Sequence, residues 1–157
     1  MRRAPSTTVR DVANRQVVTV APETTLAQCA RTMRDQHVGS VVVIRGDHPE
    51  SRPIGIVTDR DIILEAVAPS LDPSAITAGE VMSPSLGTVS EDDDILDALA
   101  RMREYGVRRL PVIDTSGRLA GIVAVDDLLS ALAQQLDSAV DVFAAERAKE
   151  HVMRPAR

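Results

Sequence analysis

Apolar positions along the chain fall into short blocks with two alternating kinds of spacing. A compact run, Val17-Val18-Thr19-Val20, reads as an opening strand. The polar cluster Pro22-Glu23-Thr24-Thr25 follows, and then Leu26, Ala30 and Met33 recur at the spacing of a helix with one buried stripe. Hydroxyls and carboxylates suit such a helix start, where backbone N–H groups lack partners and the dipole favours negative charge. Val41–Ile44 reads as a buried strand. A polar loop, Arg45–Pro53, and a third strand, Pro53–Val57, come next. The stretch GIVTDRDI, Gly55–Ile62, then carries strand directly into helix, which completes the order β-α-β-β-α.

The same order is written again. Residues 10–44 lie on 79–113 without a gap, with identity at Val12/Val81, Thr19/Thr88, Val20/Val89, Met33/Met102, Arg34/Arg103, Val38/Val107, Val43/Val112 and Ile44/Ile113. Beyond three extra residues in the first loop, GIVTDRDI is matched by GIVAVDDL, Gly121–Leu128. A long ungapped register followed by a second matching block indicates duplication. Copy two therefore has an opening strand at Leu86–Val89, a helix start at Glu91–Asp94 and a stripe at Ile95, Leu99 and Met102. Its remaining strands are Leu110–Ile113 and Leu119–Val123, joined by the turn Asp114-Thr115-Ser116-Gly117. Each half alone has little core, so the expected fold is α/β, with the two repeats packed as one pseudo-twofold unit. The expected divisions are repeat 1 at 8–68, a linker at 69–77 within the loose stretch Ala68–Thr77, repeat 2 at 78–135 and a helical tail at 136–157. Leu129, Leu132, Leu136, Val140 and Phe143 form a stripe that runs from repeat 2 into that tail, whose polar end from Glu146 is expected to fray.

Composition narrows the function. The 157 residues are 44% apolar, almost all aliphatic, with one Tyr, one Phe and no Trp, which leaves little for stacking on bases. A net charge of −5 argues against general affinity for nucleic-acid backbones. The lone Cys29 sits among helical apolar residues and reads as a buried, inert thiol. With no signal-like or membrane-length apolar run, a cytoplasmic protein without membrane contact is expected. His37, His48 and His151 lack metal-ligand spacing, and the acidic run Glu91–Asp94 reads as a helix start rather than a metal site. Neither a nucleophile–base arrangement nor a P-loop is visible, so no enzyme and no catalytic cofactor are expected.

The paired strand–helix junctions, Val107–Asp114 (VRRLPVID), Val81-Met82 and Thr58–Ile62 (TDRDI) together resemble the CBS domain pair, or Bateman module, over about residues 8–135. TDRDI in particular resembles small stand-alone bacterial members. The resemblance implies a regulatory module that binds AMP, ADP, ATP, NAD or S-adenosylmethionine between the repeats. It also implies a homodimer formed through helices, and a signal passed to a separate protein partner. An interaction module without a small ligand is the alternative.

Thr58 and Asp61 carry the chemistry of that reading. A strand ending at Thr58 delivers the first turn of a helix, whose free N–H groups suit an anion. The Thr58 hydroxyl can donate to a phosphate. Asp61, one turn on, can accept both hydroxyls of a ribose. Both residues can equally serve as helix caps. The second copy keeps Asp127 but has Ala124 in place of the threonine, so a weaker second site is expected. Arg108 and Arg109 stand before the central strand, where guanidinium groups pair well with phosphate oxygens or with the acidic residues nearby. The resemblance adds Met82, Gly87 and Val107 around Asp61, and Ala13, Val18, Val38 and Gly39 around Asp127.

Overall fold

The computed structural model describes residues 7–46, 51–83 and 87–153. Repeat 1 comprises α1 (Val9–Val12), β1 (Thr19–Val20), α2 (Leu26–Gln36), β2 (Ser40–Arg45), β3 (Arg52–Thr58) and α3 (Asp59–Ile62), which continues as a π-helical turn, Ile63–Val67. Repeat 2 comprises α4 (Ala78–Val81), β4 (Val89–Ser90), α5 (Ile95–Tyr105), β5 (Arg109–Ile113), β6 (Leu119–Ala124) and α6 (Val125–Met153). Each repeat forms a three-stranded sheet in chain order, its first pair parallel and its second antiparallel. The middle strands are apolar along their central residues, Val41–Ile44 and Leu110–Ile113, because both faces are covered there. Val41 and Val43 enter the core of repeat 1, while Val42 on the opposite face is equally buried.

Helices α2 and α5 begin and end by matched devices. Thr25 accepts the Gln28 N–H and Asp94 accepts the Leu96 N–H, which satisfies donors the helix itself cannot. His37 and Gly106 end them in the left-handed region, at φ 54° and 65°. Cys29 is fully buried on α2, where desolvation raises the pKa of its thiol.

The repeats are joined by an exchange of their leading turns. Val9 of α1 is fully buried in the core of repeat 2, beside Val89, Ile95 and Leu128, and Ala78 of α4 is fully buried in the core of repeat 1. The hydrogen bonds of the exchange obey the duplication. Val9 N donates to Asp93 O at 2.9 Å, as Ala78 N does to Thr24 O at 2.8 Å; Arg10 N donates to Glu91 O at 2.9 Å, as Gly79 N does to Pro22 O at 2.9 Å. Helices of four residues have no stability of their own, so burial and these bonds hold them. Each also carries a capping box, Thr8 with Asp11 and Thr77 with Glu80. The threonine backbone N–H, then its hydroxyl, holds each carboxyl below its ordinary pKa.

Beyond the leading turns, each repeat's chain crosses the last strand of the other at a glycine. A Cβ on residue 55 would fall 2.6 Å from the Cβ of Met82, and one on residue 121 would fall 3.0 Å from the Asn14 carbonyl oxygen. Asn14 and Ile122 exchange two 2.9 Å backbone hydrogen bonds there.

Several elements differ from the sequence expectation. The opening strands are two residues long, because β1 pairs with β2 only at Thr19 and Val20. The segment after Ala68 is a loop of turns, as expected, but it is tied to α2, since its Pro73 and Ile76 carbonyls accept the first amides of that helix at 3.0 and 2.9 Å. Helix α6 does not stop near Glu146 but runs to Met153. His48, Leu86 and the last tail residues, 154–157, lie outside the described residues.

Filling the crossing glycine should loosen the joint. Gly55→Val is expected to lower the unfolding free energy by about 1–3 kcal/mol in urea denaturation. Combined with Met82→Ala, it should cost at least about 0.5 kcal/mol less than the two single losses together. Strict additivity would show that Met82 does not fill that space.

Candidate functional site

Two clefts lie along the joint, related by the duplication. The larger, of about 370 Å³, is lined from repeat 1 by Ile56, Thr58, Asp59, Arg60 and Asp61, with Ser83, Gly106, Val107, Arg108 and Arg109 opposite. The smaller, of about 240 Å³, is lined by Ile122, Ala124, Asp127 and Arg109 on one side and by Asn14, Gln16, Val18, His37, Val38, Gly39 and Ser40 on the other. Small-molecule sites usually occupy about 300–1,000 Å³, a range that the first cleft enters, while the second falls just below it and suits a smaller ligand.

Asp61 is half-buried and firmly placed. Thr58 donates to its Oδ2 twice, from the backbone N–H at 2.8 Å and from Oγ1 at 2.7 Å, and Asp61 N donates back to Thr58 Oγ1 at 3.2 Å. Oδ1 accepts no hydrogen bond from any described residue. The carboxylate thus serves as a cap through one oxygen and offers the other to the cleft. Asp127 is exposed and receives only the Ala124 backbone N–H, at 3.1 Å.

The helix start is less open to an anion than the sequence suggests. Asp59 N donates to Gly39 O at 3.1 Å, Arg60 N to Asp59 Oδ1 at 2.8 Å, and Asp61 N to the threonine. With the hydroxyl hydrogen also committed to Asp61, the strongest remaining donors around the cleft are guanidinium groups. Arg108 lies 3.8 Å from Asp126 with both side chains more than 70% exposed, a contact that contributes little. It therefore faces neither Glu104 nor the Glu91–Asp94 run. The carboxylates of that run are engaged elsewhere: Glu91 pairs with Arg10 and Arg15, Asp92 with Arg10, Asp93 lies 4.0 Å from Arg101, and Asp94 caps α5. Among the described residues no cluster of three His, Cys, Asp or Glu could hold a metal ion.

Thr58, Asp61, Val107, Arg108 and Arg109 line one cleft together, and Val18, Val38, Gly39 and Asp127 line the other. Met82, Gly87 and Ala13 are not among the lining residues. Met82 fills the space over Gly55, Ala13 packs against Gly121, and Gly87 gives its space to the Tyr105 ring. Arg60, Ser83 and Gly106 are additional lining residues, as are Asn14, Gln16 and His37. The register that pairs His37 with Gly106 and Asn14 with Ser83 was the available signal for four of them.

The CBS domain family model matches residues 9–68 and 78–134. Hypoxic response protein 1 of Mycobacterium tuberculosis is 38% identical over 122 residues, which cover 78% of this chain and 82% of that protein. An uncharacterized Methanopyrus kandleri protein is 38% identical over 124 residues, covering 79% of this chain and 62% of that protein. Since the relatives span archaea, bacteria and a plant, they do not assign this chain to bacteria. A match to a homoserine O-acetyltransferase covers only 23% of that protein. Among solved structures, Hypoxic Response Protein I with two coordinated zinc ions superposes with a TM-score of 0.68, covering 80% of this chain and 98% of that one, at 38% identity. The Pyrobaculum aerophilum CBS domain protein PAE2072, complexed with AMP, superposes with a TM-score of 0.70 at 28% identity, covering 82% of this chain and 99% of that one.

The unequal anchoring of the two aspartates has a measurable consequence. Thr58→Ala is expected to lower stability by about 0.5–2 kcal/mol, the ordinary loss for a cap. Ala124→Thr should raise it by a similar or smaller amount, read from urea midpoints at unchanged slope. A destabilising Ala124→Thr would show that the second junction has no room for the threonine bond.

Proposed function

The chain belongs to the CBS domain family, and from that premise we propose that it is a regulatory module binding an adenine nucleotide in the Asp61 cleft. The single observation that carries this reading is the cleft itself. A half-buried carboxylate with one oxygen unengaged stands on one repeat, and Arg108 and Arg109 stand on the other. A ribose diol would donate to Asp61 Oδ1, the aliphatic walls at Ile56 and Val107 would flank the base, and the guanidiniums would meet phosphate. Thr58 acts by positioning Asp61. The AMP held by the Pyrobaculum relative supports the ligand class. ADP, ATP, NAD and S-adenosylmethionine share the adenosyl part that the cleft would read. Such ligands are met in the cytoplasm, where the protein is placed on this reading.

Calorimetry tests it. AMP, ADP or ATP should bind the wild-type protein, Asp61→Ala should weaken that binding about tenfold or more, and Asp127→Ala should change it less. Absence of heat and of thermal shift with all five ligands would overturn the proposal.

The output is proposed to pass through a homodimer to a separate protein, since ligand acts only by favouring one arrangement over another. What favours an association surface is the apolar exposure of Ile63, Leu64 and Val67 after α3 and of Leu129, Leu136 and Val140 on α6. No helix among the described residues is long and apolar enough to cross a membrane. Paired Ile63→Glu and Val67→Glu changes should reduce the solution mass to that of one chain, while truncation after Ala131 tests the tail separately. A mass unaltered by both would remove these surfaces from the interface.

A further inference from the structure

Arg109 lines both clefts. Its counterpart in the duplication, Ser40, lines only the smaller one. The two residues open the middle strands β5 and β2, and only the longer side chain lines both clefts. The Arg109 side chain is exposed and makes no hydrogen bond or ion pair with any described residue, so no such contact commits it to either side.

The charged groups around the clefts give that shared position a consequence. The Asp61 cleft has three guanidiniums, Arg60, Arg108 and Arg109, against the carboxylates of Asp59 and Asp61. In the Asp127 cleft, Gly39 replaces Arg108, and Asp126 stands in sequence where repeat 1 has Arg60. Arg109 is therefore the one arginine or lysine among the described lining residues there, facing Asp127. Once a phosphate at the Asp61 cleft holds Arg109, the other cleft keeps its carboxylate with no guanidinium to balance it. A second phosphate would then meet net negative charge, whereas an uncharged nucleoside would still find Asp127 for its ribose.

We propose, building on the nucleotide reading of the Asp61 cleft, that the two clefts share Arg109 and so take ligands of different charge. A phosphorylated adenine nucleotide occupies the Asp61 cleft, and an adenosyl ligand without phosphate occupies the Asp127 cleft.

Calorimetry with AMP and adenosine tests the sharing. Wild-type protein should bind one AMP per chain tightly, and AMP-saturated protein should then take up one adenosine. A second AMP should bind at least about tenfold more weakly than the first. Arg109→Ala should weaken the first AMP about tenfold or more. Its adenosine affinity at the Asp127 cleft should match that of AMP-saturated wild type within about twofold. Asp127→Ala should abolish the adenosine event alone. Two AMP molecules binding with equal affinity, or an Arg109→Ala variant with unchanged AMP binding, would overturn the sharing while leaving the nucleotide reading intact. No binding of either ligand to the wild type would overturn both.

Discussion

The exchange of leading turns is the constraint on which the rest of the molecule depends. A four-residue helix stays folded only against a surface, and here the surface belongs to the other repeat. Burying Val9 removes a side chain from water, for about 1.5–3 kcal/mol, and simultaneously completes the core around Leu128 and Ile95. Neither core is closed without a residue from its neighbour. The crossing at Gly55 and Gly121 follows, because a chain leaving its docked turn must pass over the last strand closely enough that no side chain fits beneath it. The clefts lie beside this crossing, so their walls are held at a fixed separation by the same contacts that complete the cores.

Duplication supplies two such clefts, and local substitutions then make them unequal without disturbing the scaffold. Replacing threonine by Ala124 removes one of the two donors that steady the aspartate and leaves the backbone donor in place. Gly39 in place of arginine removes charge from the lip of the smaller cleft while the backbone bond of that residue persists. Gly39 O still accepts Asp59 N, as Arg108 O accepts Val125 N. The framework bonds run through the main chain and tolerate the change. The groups that face a ligand are side chains and carry all of the difference.

The same division explains what the sequence could disclose. Helices α2 and α5 and the middle strands were legible because eleven-residue stripes and dense apolar runs leave a clear periodic signal. The leading turns were not, since four residues cannot show a period and their partners lie in the other repeat. Their threonine–carboxylate spacing at Thr8–Asp11 and Thr77–Glu80 was the only local trace. In the clefts, residue type and register brought out Thr58, Asp61, Arg108, Arg109 and Asp127. Met82, Gly87 and Ala13 were implied by the family resemblance alone, and nothing in a sequence separates a residue that lines a hollow from one that fills the space behind it. That Arg109 lines both clefts is a spatial relation, visible only once the two repeats are packed together.

Among the described residues, Thr58–Asp61 is one of four boxes of this kind, with Thr8–Asp11, Thr25–Gln28 and Thr77–Glu80. A cap alone therefore cannot mark a ligand site; what sets this one apart among the described clefts is the set of guanidiniums facing it. Because the first amides of α3 are all engaged, the main chain contributes little to holding an anion there. On the proposed reading, recognition of phosphate falls to arginines that the fold does not require, and recognition of the ribose to a carboxylate that it does. The aspartate cannot be altered without also weakening a helix start, whereas the arginines are free to differ between the repeats. On these grounds the nucleoside half of the proposed specificity is tied to the architecture, and the charge half is the part that sequence change can adjust.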